Sequence, residues 1–212
     1  MINSLKQEFE NLKQKYNGHC FLDGSKNILI SAPHAVEQTR DGNIKPAEQE
    51  TAFISLYFNK KNYSCIIKTT NNNDDANHEI NCKYKNDFLK KFKSGKFNFL
   101  LDIHQLSSTR EMDFCIGTGG KYYNTLLQYS YISKNITPIL ENNGYIVEIN
   151  NPFGGGKEHT NSGFLARQNY PAIQLEINSK LLYNVSNEQF LYLLNAIEEI
   201  LIYIEKEIKW NF

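Results

Sequence analysis

An α/β sandwich on a largely parallel or mixed sheet is the fold class predicted by this 212-residue sequence, and three observations predict it. Short apolar runs alternate with stretches of helical periodicity. Several of those runs are apolar at successive positions, as suits strands buried on both faces of a sheet. No repeat, long linker or shift of composition divides the chain, so residues 1–212 read as a single domain.

The elements follow in order. Leu5, Phe9, Leu12 and Tyr16 recur at helical spacing, and Ser4 followed by Gln7 is a capping-box pattern, which predicts an opening amphipathic helix. NILISAP (27–33), halted by proline, predicts a buried strand. Pro46 suits the first turn of a helix reaching about residue 59, and YSCIIKT (63–69) predicts the next strand. NNNDDAN (71–77) is a polar loop. Residues 78–93 predict a helix with Tyr84, Phe88, Leu89 and Phe92 inward, and FNFLLDIH (97–104) is the clearest strand. MDFCIGT (112–118) predicts another strand, 121–143 a long helix closed by Gly144, and YIVEI (145–149) a further strand. A glycine-rich loop (153–163), a short helix and the strand AIQLEI (172–177) follow. Ser186 and Gln189 then cap a final helix with a wide apolar stripe from Phe190 to Ile204.

Composition excludes several functions. Lys+Arg and Asp+Glu are equal at 23 each, so no excess positive charge is present to hold a phosphate backbone, and nucleic acid is not the expected partner. No apolar run reaches the ~18 residues of a membrane span. The polar start MINSLKQEFENLKQKY lacks the apolar core of a secretory signal, so the expected location is cytoplasmic and the expected partner a small molecule or peptide. Cys20, Cys65, Cys82 and Cys115 form no CxxC pair and read as small buried hydrophobes. FGGGKEHT departs from a Walker A loop because Glu158 follows Lys157, and there is no GxSxG elbow. The glycine-rich loop is either a lid over a pocket or a plain surface loop.

In open α/β sheets ligands bind beyond the carboxyl ends of the strands, and chemistry-bearing residues cluster there. His34 and Glu37 follow the first apolar strand, His104 ends FNFLLDIH, and Glu176 lies inside AIQLEI. Two imidazoles and a carboxylate are the usual protein ligands of a catalytic Zn²⁺, so His34, Glu37 and His104 are the expected metal ligands for one ion. Glu176, flanked by Leu175 and Ile177, is a costly place for a carboxylate unless it is paired or functional. Asp102 shares a strand face with His104 and either orients that imidazole or caps a turn. Only three of the basic residues are arginine, Arg40, Arg110 and Arg167, and all three stand near these segments. Guanidinium there suits a substrate carboxylate or a transition-state oxyanion, or ordinary structural pairing such as Arg110 with Asp113.

His34-x-x-Glu37 in SAPHAVEQTR, Asp102-Ile-His104 in LLDIHQLSSTREMDFCIGTG and Gln174-Leu-Glu176-Ile-Asn178 in PAIQLEIN together resemble the N-formylglutamate amidohydrolase family, related to the zinc carboxypeptidases and aspartoacylases. The resemblance spans roughly residues 27–180. It implies a three-layer α/β/α, phosphorylase/hydrolase-like fold, one zinc on His34, Glu37 and His104, and Glu176 as general base. Several relatives carry Asp-x-Asn-Arg where this chain has Asp75-Ala-Asn77-His78, so Asn77 carries over and His78 replaces the guanidinium.

The expectation is a zinc-dependent hydrolase of a carboxamide bond in a small N-acyl amino acid or peptide-like substrate. Catalysis falls to Glu176 with Arg110 or Arg40 at the oxyanion, and Asn77, His78 or Arg167 hold the far end of the substrate. A carboxypeptidase is the neighbouring alternative. A non-catalytic metabolite- or partner-binding protein on the same scaffold is the alternative of another class.

Overall fold

The computed structural model describes residues 1–118 and 132–207. In chain order the elements are α1 (Ile2–Lys15), β1 (His19–Leu22), β2 (Ile28–Ala32), β3 (Gln38–Arg40), β4 (Asn43–Lys45), α2 (Gln49–Asn59), β5 (Ser64–Lys68), α3 (Lys83–Lys93), β6 (Phe99–Leu106) and β7 (Phe114–Gly117). After a π-helical turn (Ile132–Ile136) come α4 (Thr137–Asn142), β8 (Val147–Ile149), α5 (Asn161–Ala166), β9 (Ala172–Asn178) and α6 (Asn187–Glu207). The first part of the helix expected over 121–143 lies outside the described residues, and its last turns are helical.

Seven strands form one sheet in the order β1-β5-β2-β6-β9-β7-β8. The β2–β5, β2–β6, β6–β9 and β7–β8 pairs are parallel, whereas β1–β5 and β7–β9 are antiparallel, giving the mixed, largely parallel sheet expected. Strand alternation sends side chains to two separate cores. Ile28, Ile30, Ala32, Leu101, Ile103 and Leu175 face α1, α2, α4 and α6 in the larger one. Leu29, Ile66, Leu100 and Ala172 face Tyr84, Phe88 and Phe92 of α3 and Leu165 of α5 in the smaller. The architecture is therefore a three-layer α/β/α sandwich. The α6 stripe from Phe190 to Ile204 is buried, and Ser186 and Gln189 exchange the two hydrogen bonds of a capping box, at 2.8 and 3.1 Å.

Four local readings differ. α1 begins at Ile2 with Met1 as its N-cap, so Ser4 lies inside the helix. α2 starts after Glu48 rather than at Pro46, and Glu48 is its N-cap with non-helical backbone. α3 starts at Lys83 because residues 75–82 form a turn whose carbonyls, Ala76 O and Glu79 O, accept hydrogen bonds from the fully buried Lys85 Nζ at 2.6 and 2.8 Å. The short strand β1 and the β3–β4 hairpin were not predicted, although the hairpin carries an Asp-Gly turn: Asp41 and Gly42 both have positive φ, at 52° and 75°. All four cysteines are free and buried. Among the described residues no helix is long and apolar enough to cross a membrane.

Candidate metal centre and its cavity

The turn after β2 carries His34, and the N-cap of α2 is tied to that turn because Glu48 N donates to His34 O at 2.8 Å. Its non-helical backbone leaves the Glu48 carboxylate facing the histidine, with Oε1 3.0 Å from His34 Nδ1. Glu48 Oε2 accepts from Gln105 N at 3.0 Å and lies 3.5 Å from His104 Nδ1. The two Nδ1 atoms, of His34 and His104, are 3.2 Å apart. One ligand atom from each of His34, Glu48 and His104 thus lies within 4.8 Å of the others.

Each imidazole turns its other nitrogen to a fully buried carboxylate. His34 Nε2 meets Asp75 Oδ1 at 2.9 Å, and His104 Nε2 meets Asp102 Oδ2 at 3.0 Å. Such partners fix the tautomer with the proton on Nε2 and leave the Nδ1 lone pair outward. Two bare Nδ1 atoms and a carboxylate then crowd one point, an arrangement that repels itself unless a cation or protons occupy it. The donor set, two imidazoles and one carboxylate, is one that catalytic Zn²⁺ takes with a further position left for water. The residues fit a metal ion.

The local charges are strongly coupled. Burial would raise the Glu48 carboxyl, but His34 and His104 outweigh it and bring it down to about 2. Burial opposes charge on His104 too, yet Asp102 and then Glu48 hold its pKa well above the usual histidine value. His34 is raised in the same way by Glu48 and Asp75. Burial would likewise raise Asp75; its hydrogen bonds to His34 and Arg40, with their charges, hold it well below the usual carboxylate range. Arg40 reaches Asp75 Oδ2 through Nε at 2.8 Å and through its terminal nitrogen at 2.7 Å.

Glu176 stands beside this cluster on β9, 6% exposed, and burial pushes its carboxyl up to about 7 against the pull of His104. Gln174 Nε2 donates to Glu176 Oε1 at 2.5 Å. A cavity of about 1040 Å³ opens over these groups. Its walls include Arg40, Asn77, Arg167 and the glycine-rich segment from Phe153 to Thr160.

Most of the residues expected from sequence meet here: His34, His104, Glu176, Arg40, Asn77 and Arg167 all line the cavity. Asp102 does face His104, and Arg167 pairs with Glu158 at 3.5 Å. Three placements are corrected. Glu37 is exposed, because the turn that aims His34 inward sends the residue three positions later to solvent, and Glu48 takes its place beside the two histidines. Arg110 is also exposed, in the turn after β6; its main chain is engaged, N donating to Ser107 O at 3.1 Å and O accepting from Asn178 Nδ2 at 3.0 Å, and Asp113 pairs with Lys180 instead. His78 is outside the cavity lining and packs at a tilt against His159, which does line it, with ring centroids 4.6 Å apart. Residues 153–160 of the glycine-rich loop form a wall of the cavity. Sequence alone did not single out Glu48 as a candidate ligand or Asp75 as the partner of His34. A carboxylate at a helix start is common for dipole reasons, so Glu48 bore no distinguishing mark. Asp75 carried a usable signal: it is an acid in the loop leaving β5, the strand beside β2.

No family model and no curated protein matches the sequence. Solved structures do match the fold. N-formylglutamate amidohydrolase from Ralstonia eutropha JMP134 superposes with a TM-score of 0.63 at 12% identity, covering 93% of this chain and 100% of that one. The gene product Atu2144 from Agrobacterium tumefaciens gives 0.59 at 12% identity, over 89% and 98% of the two chains. A bacteriophage poly-gamma-glutamate hydrolase gives 0.53 at 13% identity, over 92% and 94%. Over nearly its whole length the chain has the fold of these proteins, the first of which is by name an N-formylglutamate amidohydrolase, the family that its motifs resemble.

Proposed function

We propose that this protein is a metal-dependent hydrolase, with zinc as the metal, that cleaves a carboxamide bond in a small acidic N-acyl amino acid or peptide-like substrate. The observation that carries this reading is the convergence of His34 Nδ1, His104 Nδ1 and the Glu48 carboxylate next to a buried Glu176. Two of the proteins that share the fold are by name an N-formylglutamate amidohydrolase and a poly-gamma-glutamate hydrolase, which agrees with an acidic amide substrate.

His34, Glu48 and His104 would hold the ion. Zn²⁺ bound there supplies Lewis acidity, acidifying water and polarising a carbonyl. Asp75 and Asp102 keep both imidazoles in the tautomer that presents Nδ1. Glu176, with a carboxyl at about 7, is poised to accept a proton from water and to return it to the departing amine. Gln174 holds one oxygen of Glu176, which leaves the other for the proton. Arg40 and Arg167 place positive charge on the cavity wall, where a substrate carboxylate is bound and the developing oxyanion is stabilised.

Protein purified without added metal should contain about one zinc per chain by elemental analysis. Chelation should abolish hydrolysis of a panel of formyl, acetyl and succinyl amino acids and of short peptides, and zinc should restore it. The substrates cleaved separate an amidohydrolase from a carboxypeptidase. Stoichiometric zinc with no turnover on either set would favour a binding protein and refute the enzyme.

A further inference from the structure

We infer that Asn161 is a positioning residue that joins the glycine-rich loop to the cation site, so that the two become ordered together. This rests on the metal reading above. Asn161 is fully buried, and it lies behind the cavity lining. Its backbone N donates to Asn77 Oδ1 at 2.7 Å, and its Nδ2 donates to Asp102 Oδ1 at 3.2 Å. Asn77 N in turn donates to Asp75 Oδ1 at 2.9 Å, the oxygen that faces His34 Nε2. One residue therefore links the carboxylate behind His104 to the carboxylate behind His34. With the two Nδ1 atoms 3.2 Å apart, the chain of contacts closes into a ring around the cation site.

The same residue opens α5 at the end of the loop. The residues on either side of it, Thr160 and Ser162, both donate to Gly155 O at 2.8 Å. Gly155 sits at φ +62°, and a Cβ there would stand 2.7 Å from Ser162 Oγ, so the loop is wound tightly against Asn161's neighbours. A shift of the loop must move Asn161, and a shift of Asn161 releases Asp102 Oδ1 inside the protein, where an unpaired acceptor is costly. Asparagine suits the position because it offers a donor to Asp102; aspartate would present a second acceptor.

The test is zinc affinity by competition with a chromophoric chelator, together with the Co²⁺ ligand-field spectrum and amide hydrogen exchange. Groups that orient metal-bound histidines affect affinity by roughly 10–100-fold. Asn161→Ala should weaken zinc by about tenfold and alter the Co²⁺ bands, and Asn161→Asp should weaken it further. Thr160→Ala, which removes one of the two hydrogen bonds on Gly155 O but keeps the bond from Asn161 to Asp102, should weaken zinc by less than Asn161→Ala. In the wild-type protein zinc should slow exchange of the segment 157–166, a readout that holds even if the Asn161 variants fail to fold. Unchanged affinity in Asn161→Ala, or exchange of the loop indifferent to zinc, overturns the inference while leaving the metal site standing. Wild-type protein that binds no zinc overturns both.

Discussion

His104 and Glu176 are register partners on the adjacent parallel strands β6 and β9, with Asp102 and Gln174 paired one step earlier on the same face. The backbone ladder of the sheet thus sets a proposed metal ligand beside the proposed base, and the partner of each beside the partner of the other. A slip of one residue would send the two side chains of the slipped strand to the opposite face and separate them from the other two, so the seven register pairs between these strands tie the candidate site to the fold itself.

The exchange of Glu37 for Glu48 can be tested directly. Glu48→Gln should reduce zinc affinity by about 100-fold or more, because it removes the one anionic ligand from a charge-compensated set. Glu37→Gln, altering an exposed side chain, should leave affinity within about twofold. Titration calorimetry with Zn²⁺ on both variants decides between them, and the reverse ranking would restore Glu37 to the site.

Glu176→Gln should keep its zinc and lose about 10²–10⁴-fold in turnover, the usual contribution of a general base. Elemental analysis and steady-state rates on whichever amide substrate is cleaved are the measurements. A fully active Gln variant would assign the proton transfer to another group.

Burial of Glu176 also has a consequence for stability. Its carboxyl is raised to about 7, above the ordinary value of 4.5, so the folded state holds a proton that the unfolded state has released. The stability contributed is present below pH 4.5 and is lost as pH climbs to about 7, by up to about 3 kcal/mol. In chelator-treated protein, urea unfolding at pH 5 and pH 7.5 should show this loss, and Glu176→Gln should flatten that part of the profile. Identical profiles for the two proteins would contradict the assignment.

Asp102→Asn and Asp75→Asn should each lower zinc affinity by about 10–100-fold while sparing most of the secondary structure. The Asp75 change should also release Arg40, whose guanidinium rests on that carboxylate. If Asp75→Asn left both affinity and substrate KM unaltered, the turn from Asp75 to Asn77 would have no part in the centre.

Much of the frame was legible because it depends on local pattern. The buried runs around Ile28–Ala32, Ser64–Lys68 and Phe99–Leu106 and the apolar stripe of α6 announce their burial through composition alone. Helix starts were less legible. α2 and α3 begin later than propensity suggests because Glu48 is turned toward His34 and because Lys85 engages the carbonyls of the preceding turn. Those are tertiary contacts, and residue type does not encode them locally.

Part of the candidate site was legible in strand-end residues: His34, His104 and Glu176 could be picked out because imidazoles and a lone carboxylate in or after apolar strands have few structural uses. Which carboxylate completes the trio was settled in three dimensions. Glu37 is three residues from His34 and points away; Glu48 is fourteen residues distant and lies 3.0 Å from it. Chain separation says little about direction in space, whereas the hydrogen bond from Glu48 N to His34 O, closing a turn upon a helix start, brings that side chain to the histidines.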